Sequence, residues 1–182
     1  MKTPGRLLAS FLITALLLFI ISWPAPKYLT TGIPSNGANA EYGGARAMIH
    51  GDHLQLMYRL WLGADYFTGG TPPLHNLYEF NTGDDSARKV INAQHFPFPL
   101  MYKLGELMGG KAFGWNFTIF MSFWIGYLGS WILLRRFGAS EGLAACFALF
   151  AIIFPFKWLT IAAGSPSGFG MCWTPWVWIG VD

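Results

Sequence analysis

"LLASFLITALLLFIISW", Leu7 to Trp23, is seventeen residues without a charge. At 1.5 Å of rise per residue, such a run is near the shortest helix that crosses the roughly 30 Å hydrocarbon core of a bilayer. Lys2 and Arg6 stand before it, and basic residues collect on the cytoplasmic side. The stretch therefore reads as a first span, 7–23, that starts from the cytoplasm. A cleaved signal peptide is the competing reading, because "ANA" at Ala38 to Ala40 has the A-x-A form. That motif ends seventeen residues after Trp23, too far for an ordinary cleavage region, so the uncleaved span is preferred.

Composition agrees with lipid as the main solvent. The 182 residues are 53% hydrophobic and 12% charged, against about 25% charged in soluble domains. The net charge of +3 comes from basic residues scattered along the chain, never more than two together, with no stripe that would point to nucleic acid as a partner. Cys146 and Cys172 both lie in apolar runs and read as small buried side chains rather than a disulfide framework.

A second apolar run, 113–134, ends at Arg135-Arg136. Two crossings between two basic clusters put both clusters on the cytoplasmic side. A third span is expected over 142–158, with Lys157 and Trp158 as interfacial anchors and "GSPSG", Gly164 to Gly168, as a turn-rich outer connection. A fourth run begins near 170 and stops at Asp182, too short to cross. The expectation is an all-α, multi-pass transmembrane protein, integral to a bacterial inner membrane, seen here as the N-terminal portion of one membrane domain.

Between the first two spans lies a long segment, 24–111, placed outside the cytoplasm by the same argument. It holds seven of the nine acidic residues and all four histidines. Loops of that length tend to carry function. Pro24 to Tyr42 reads as irregular. From Arg46 the spacing turns helical: Leu54, Met57, Leu60 with Trp61, Ala64 and Phe67 make one apolar stripe, while Asp52, Gln55 and Arg59 share a polar face. This predicts an amphipathic helix on the outer membrane surface. "GGTPPLHNLYEFNTGDD", Gly69 to Asp85, excludes a regular helix and gathers Glu79, Asp84 and Asp85 in a turn. "HFPFPLMYKLGELMGG", His95 to Gly110, predicts a second short helix with Leu100, Met101, Leu104, Leu107 and Met108 at helical intervals, stopped by Gly109-Gly110.

Several of these side chains have two readings. Asp52 with Gln55 three residues on is close to a capping box. The same carboxylate beside a partly dry surface could take a proton from an incoming hydroxyl. Arg59 is either a solvated charge or a bidentate phosphate contact. His50 and His53 flank Asp52, but one H-x-x-H without further ligands is poor support for zinc. Asp84 and Asp85, with Glu79, are either a solvated acidic turn or oxygen ligands for a hard divalent cation. "NFT" at Asn116 has the glycosylation form but opens a span, and is discounted.

The arrangement resembles the N-terminal part of GT-C-type membrane glycosyltransferases and the related YfhO-like bacterial membrane proteins. "GDHLQ", Gly51 to Gln55, matches the acidic start of that group's first outer loop. "FPFPLMYKLGELMGG" followed by Trp115-Asn116 resembles its proline-led second surface helix and the beginning of the second span. The resemblance implies transfer of a sugar from a polyprenyl-phosphate carrier to an acceptor on the extracytoplasmic face, with the first-loop acid as general base. Carried onto this chain, that role falls to Asp52 alone, where many members have paired acids. Some members use a divalent metal (Mg or Mn), for which Asp84-Asp85 could supply ligands. Two other classes stay open: a transporter or lipid-handling permease, which would place ionisable groups within its spans, and a non-catalytic assembly subunit.

Overall fold

The computed structural model describes residues 3–33, 53–70, 72, 75 and 95–181. Among them the chain is helical, with no β-strand. Three stretches are long and apolar enough to cross a membrane: Pro4–Ile21, Phe98–Arg136 and Glu141–Ala162.

Helix α1 spans Thr3–Ile21 and leads into a 3-10 turn, Ala25–Tyr28. Helix α2 spans His53–Thr68. Helix α3, Phe98–Arg136, contains a sharp break where Gly109 (φ −154°) and Gly110 (φ +84°) leave helical geometry. The positive φ at Gly110 is a conformation that side-chain-bearing residues rarely adopt, so this pair does end the short helix as its sequence suggests. The result is a hairpin with a short arm, 98–108, and a long arm, 111–136. The arms meet at two glycines. A Cβ on Gly105 would stand 2.9 Å from the Gly114 Cα, and one on Gly114 would stand 2.8 Å from the Tyr102 carbonyl oxygen.

The long arm is the post on which the rest is built. It packs against α1 on one side and against α4 (Glu141–Ala148), α5 (Phe150–Ile153) and α8 (Thr174–Val181) on others. Between α5 and α8 lie α6 (Pro155–Ala162), α7 (Pro166–Gly170) and a 3-10 turn, Met171–Trp173. Small residues allow the last of these contacts. A Cβ on Gly126 would lie 3.4 Å from the Cys172 Cα, and the Trp176 indole N–H crosses beside Gly129 to donate to the Ile125 carbonyl at 3.0 Å. Close backbone approach through small residues is the usual way helices associate where apolar burial gives no drive.

The burial pattern of α1 is inside-out for a water-soluble protein, although most of the bundle's buried side chains are apolar. On α1, Leu8, Leu12, Leu16, Phe19 and Ile20 are all more than half exposed, whereas Ser10 and Thr14 are fully buried. Ser10 accepts from the Trp124 indole at 3.0 Å and donates to the Leu7 carbonyl, and Thr14 donates to the Ser10 carbonyl. Thr118, Ser122 and Thr160 are buried as well. Apolar side chains outside and hydrogen-bonded small polar ones inside suit a hydrocarbon surround.

The basic clusters meet at one end. Arg6 donates to both oxygens of Glu141 (3.0 and 3.1 Å), and Arg135 reaches the same carboxylate at 3.0 Å. Arg136 donates to the Ile179 carbonyl. The opposite end carries the 22–33 segment, α2 and the hairpin tip.

Three expectations need correction. Cys146 is exposed, not a small buried side chain; of the two cysteines Cys172 alone is buried. Lys157 is not an interfacial anchor; it is 3% exposed. Pro155 forces the preceding Phe154 into an extended conformation (ψ 114°), which breaks the third stretch and starts α6 two residues before Lys157. On the short arm, the residues packed inward are Phe98, Tyr102 and Gly105, while Leu100, Leu104, Leu107 and Met108 are exposed. Leu100, Leu104 and Leu107 face away from the protein, and Met108 lines a cavity beside α1.

Candidate functional site

Helix α2 docks on α3 through Leu56, Leu60 and Ala64, each 3% exposed or less. Their spacing of four residues makes one face. Gln55 and Arg59, also one turn apart, lie off that face; Gln55 is exposed and Arg59 half-buried. The structure thus brings two of the sequence-predicted residues together on one helix. Asp52, Asp84 and Asp85 lie outside the described residues, as does Glu79. Among the described residues there is no group of three His, Cys, Asp or Glu side chains that could hold a metal.

Close to Arg59 stands His95, which sequence reading did not single out. It precedes the hairpin in a left-handed conformation (φ +50°), and its Nε2 is buried without a hydrogen-bond partner among the described residues. Burial, and secondarily the Arg59 guanidinium, hold its imidazole below the usual histidine range. A histidine kept neutral by the fold stabilises it fully above the unfolded-state pKa near 6.5, and that contribution is lost as pH falls below it. The thermal midpoint of the full-length protein in detergent should therefore drop between pH 7.5 and pH 5.5, and His95→Gln should flatten that part of the profile. An unchanged slope in the variant would assign the pH dependence to other groups.

At the same end, an apolar cavity of about 650 Å³ opens between α1 and the long arm. Phe11, Leu18 and Phe19 form one wall, Phe113, Phe117 and Phe120 the other, and residues 25–33 the rim. Two of its polar side chains donate to backbone. Ser22 donates to the Leu18 carbonyl, and the Asn116 amide donates to the Leu29 and Gly32 carbonyls at 2.8 and 2.7 Å. Asn116 is therefore the tie that holds the rim against the long arm. Two lysines adjoin lining residues in the sequence. Lys27 lies between the lining residues Pro26 and Tyr28, with its ammonium 4.9 Å from the Trp23 ring. Lys111 lies between Met108 and Phe113, 5.9 Å from the Trp61 ring.

Deeper in the bundle, the Lys157 ammonium donates to the Ser122 carbonyl at 3.1 Å and sits 4.3 Å from the Phe123 ring. No carboxylate pairs with it among the described residues. The signal for this burial was Pro155, which interrupts an otherwise uniform apolar run two residues earlier.

No protein-family model, curated protein or solved structure matches the chain.

Proposed function

We propose that the protein is a multi-pass membrane enzyme that transfers a sugar from a polyprenyl-phosphate carrier to an acceptor on the extracytoplasmic face. The N-terminus and Arg135-Arg136 lie on the cytoplasmic side, as the positive-inside rule requires. The observation that carries the reading is a juxtaposition at the opposite end. A polar helix face with Gln55 and Arg59 and an apolar cavity lie at the same end of the bundle, which suits a ligand with a charged head and a hydrocarbon tail. The exposed Leu100, Leu104 and Leu107 of the short arm, with Phe67 and Phe96 nearby, give that end an apolar apron fit for a lipid surface.

In this mechanism the Asp52 carboxylate takes the proton of the acceptor hydroxyl. The freed oxygen forms a bond to the anomeric carbon, and the bond from that carbon to the carrier phosphate breaks with inversion. The electron pair leaves with the phosphate, whose charge Arg59 holds by paired hydrogen bonds. Any divalent cation drawn to Asp84 and Asp85 would neutralise the same phosphate. Assaying the full-length protein in vesicles with a radiolabelled polyprenyl-phosphate sugar tests the reading; no wild-type transfer to any hydroxyl acceptor would remove it.

One observation favours a second reading. An ionisable side chain deep among spans is a feature of transport pathways, and Lys157 is one. Lys157→Met separates the two. A buried cation without a partner carboxylate is costly, and an apolar side chain of similar length relieves it. In an enzyme the variant should raise the thermal midpoint and leave sugar transfer intact. In a permease it should abolish solute movement across the vesicle membrane.

A further inference from the structure

We infer that the cavity between α1 and the long arm of α3 holds one acyl chain of a bilayer glycerophospholipid, bound without regard to headgroup. The inference does not rest on the sugar-transfer reading; a carrier chain would enter the same groove only by displacing that lipid.

Depth is the first argument. The Phe11 ring meets the Phe120 and Trp124 rings at 5.0 and 5.6 Å, and the Trp124 indole donates to the neighbouring Ser10. These contacts join α1 to the long arm and close the floor of the cavity near the middle of the Pro4–Ile21 stretch. From Phe11 to Ser22, both in the lining, is eleven positions, about 16 Å at 1.5 Å per residue. That is roughly half of the ~30 Å hydrocarbon core, the depth of one leaflet. Trp23, exposed at the top, belongs to a residue type that collects at headgroup level. The groove therefore starts at one bilayer surface and stops near the midplane, so a crossing helix cannot lie along it. The walls are the second argument. They belong to two of the stretches fit to cross a membrane, and Phe11 and Phe19 both line the cavity and are exposed, so hydrocarbon is the material beside the opening. No charged side chain is in the lining. Ser22 and Asn116 donate to backbone, and Tyr28 is at the rim and more than half exposed, so its hydroxyl does not polarise the walls deeper in. Water finds too few partners in such a space, and an empty one forfeits the dispersion contacts of its lining. An acyl chain restores those contacts and leaves its headgroup outside.

The test is photolabelling of the full-length protein in dioleoyl phosphatidylcholine nanodiscs, doped with a phosphatidylcholine that carries a diazirine at the end of one acyl chain. Peptide mass spectrometry then maps the adducts. Phe11 and Phe120, at the floor, should be labelled along with Leu12 and Leu16, whose exposed side chains on α1 serve as the internal reference. Ala15 lines the cavity, and Ala15→Trp should cut the ratio of floor to reference adducts at least tenfold by filling it. Ala15→Leu, a smaller intrusion checked for folding by circular dichroism, should cut the ratio by a lesser factor. A phosphatidylglycerol probe with the same chains should give the wild-type protein an unchanged ratio. The wild-type ratio in a folded Ala15→Leu or Ala15→Trp protein would overturn the assignment. So would a floor left unlabelled in the wild type while Leu12 and Leu16 react, which would put protein over the groove. A ratio that changes with the headgroup would also overturn it, by marking a headgroup site. Loss of sugar transfer alone leaves every one of these readings unaltered, so the lipid site and the enzyme stand or fall separately.

Discussion

Asp52→Asn in the full-length protein is expected to lower sugar transfer by about 10²–10⁴-fold, the usual contribution of a positioned general base. The amide is chosen because it separates the two roles proposed for this side chain, cap and base. Asn accepts the hydrogen bonds of an N-cap about as well as Asp does, so if Asp52 caps α2 the variant keeps that role and the thermal midpoint should hold. What Asn cannot do is take a proton from a hydroxyl at neutral pH. A variant that folds like the wild type and transfers sugar at the wild-type rate would reduce Asp52 to a cap. Arg59→Lys is a useful companion, since it keeps the charge and loses the paired hydrogen bonds to phosphate.

The largest structural effect should come from Gly114→Val. The Cβ it adds meets backbone on the facing arm, 2.8 Å from the Tyr102 carbonyl oxygen and 3.1 Å from the Glu106 nitrogen. Backbone cannot swing away as a side-chain end can, so the hairpin must open. Even Gly114→Ala should cost about 1–3 kcal/mol of overpacking, more than the ~1 kcal/mol that a glycine-to-alanine change returns in helix propensity. Gly180→Ala is the control, because nothing stands within 4 Å of its added carbon. Thermal unfolding in detergent reads both. A Gly114→Val protein with the wild-type midpoint would mean the two arms are not packed together.

Legibility followed the range of the physical signal. Hydropathy and charge are local, so the apolar stretches and the short helices around Leu60 and Leu104 could be read directly. The Gly109-Gly110 stop was equally plain, since conformational freedom belongs to the residue itself. Direction was harder. Periodicity on the short arm located an apolar stripe but not the side it faces; Tyr102 and Gly105 pack inward because Gly114 admits them. Lys157 was placed at the interface by its position near the end of a run, whereas the break at Phe154-Pro155 turns it into the bundle. His95 and the cavity depend on segments distant in the chain meeting at one end, and no short pattern announces such meetings. Of the candidate site, Gln55 and Arg59 sit on one helix as their spacing requires, and Asp52, Asp84 and Asp85 lie outside the described residues.

The side of the membrane on which α2 lies decides whether a lipid-borne sugar outside the cell can reach Arg59. Gln55 is exposed on that helix, and Gln55→Cys offers a thiol there once the exposed Cys146 is replaced by serine; Cys172 is buried. A membrane-impermeant maleimide added to intact spheroplasts should label this variant as fully as it labels permeabilised ones. Labelling that appears only after permeabilisation would turn the molecule over and contradict the account.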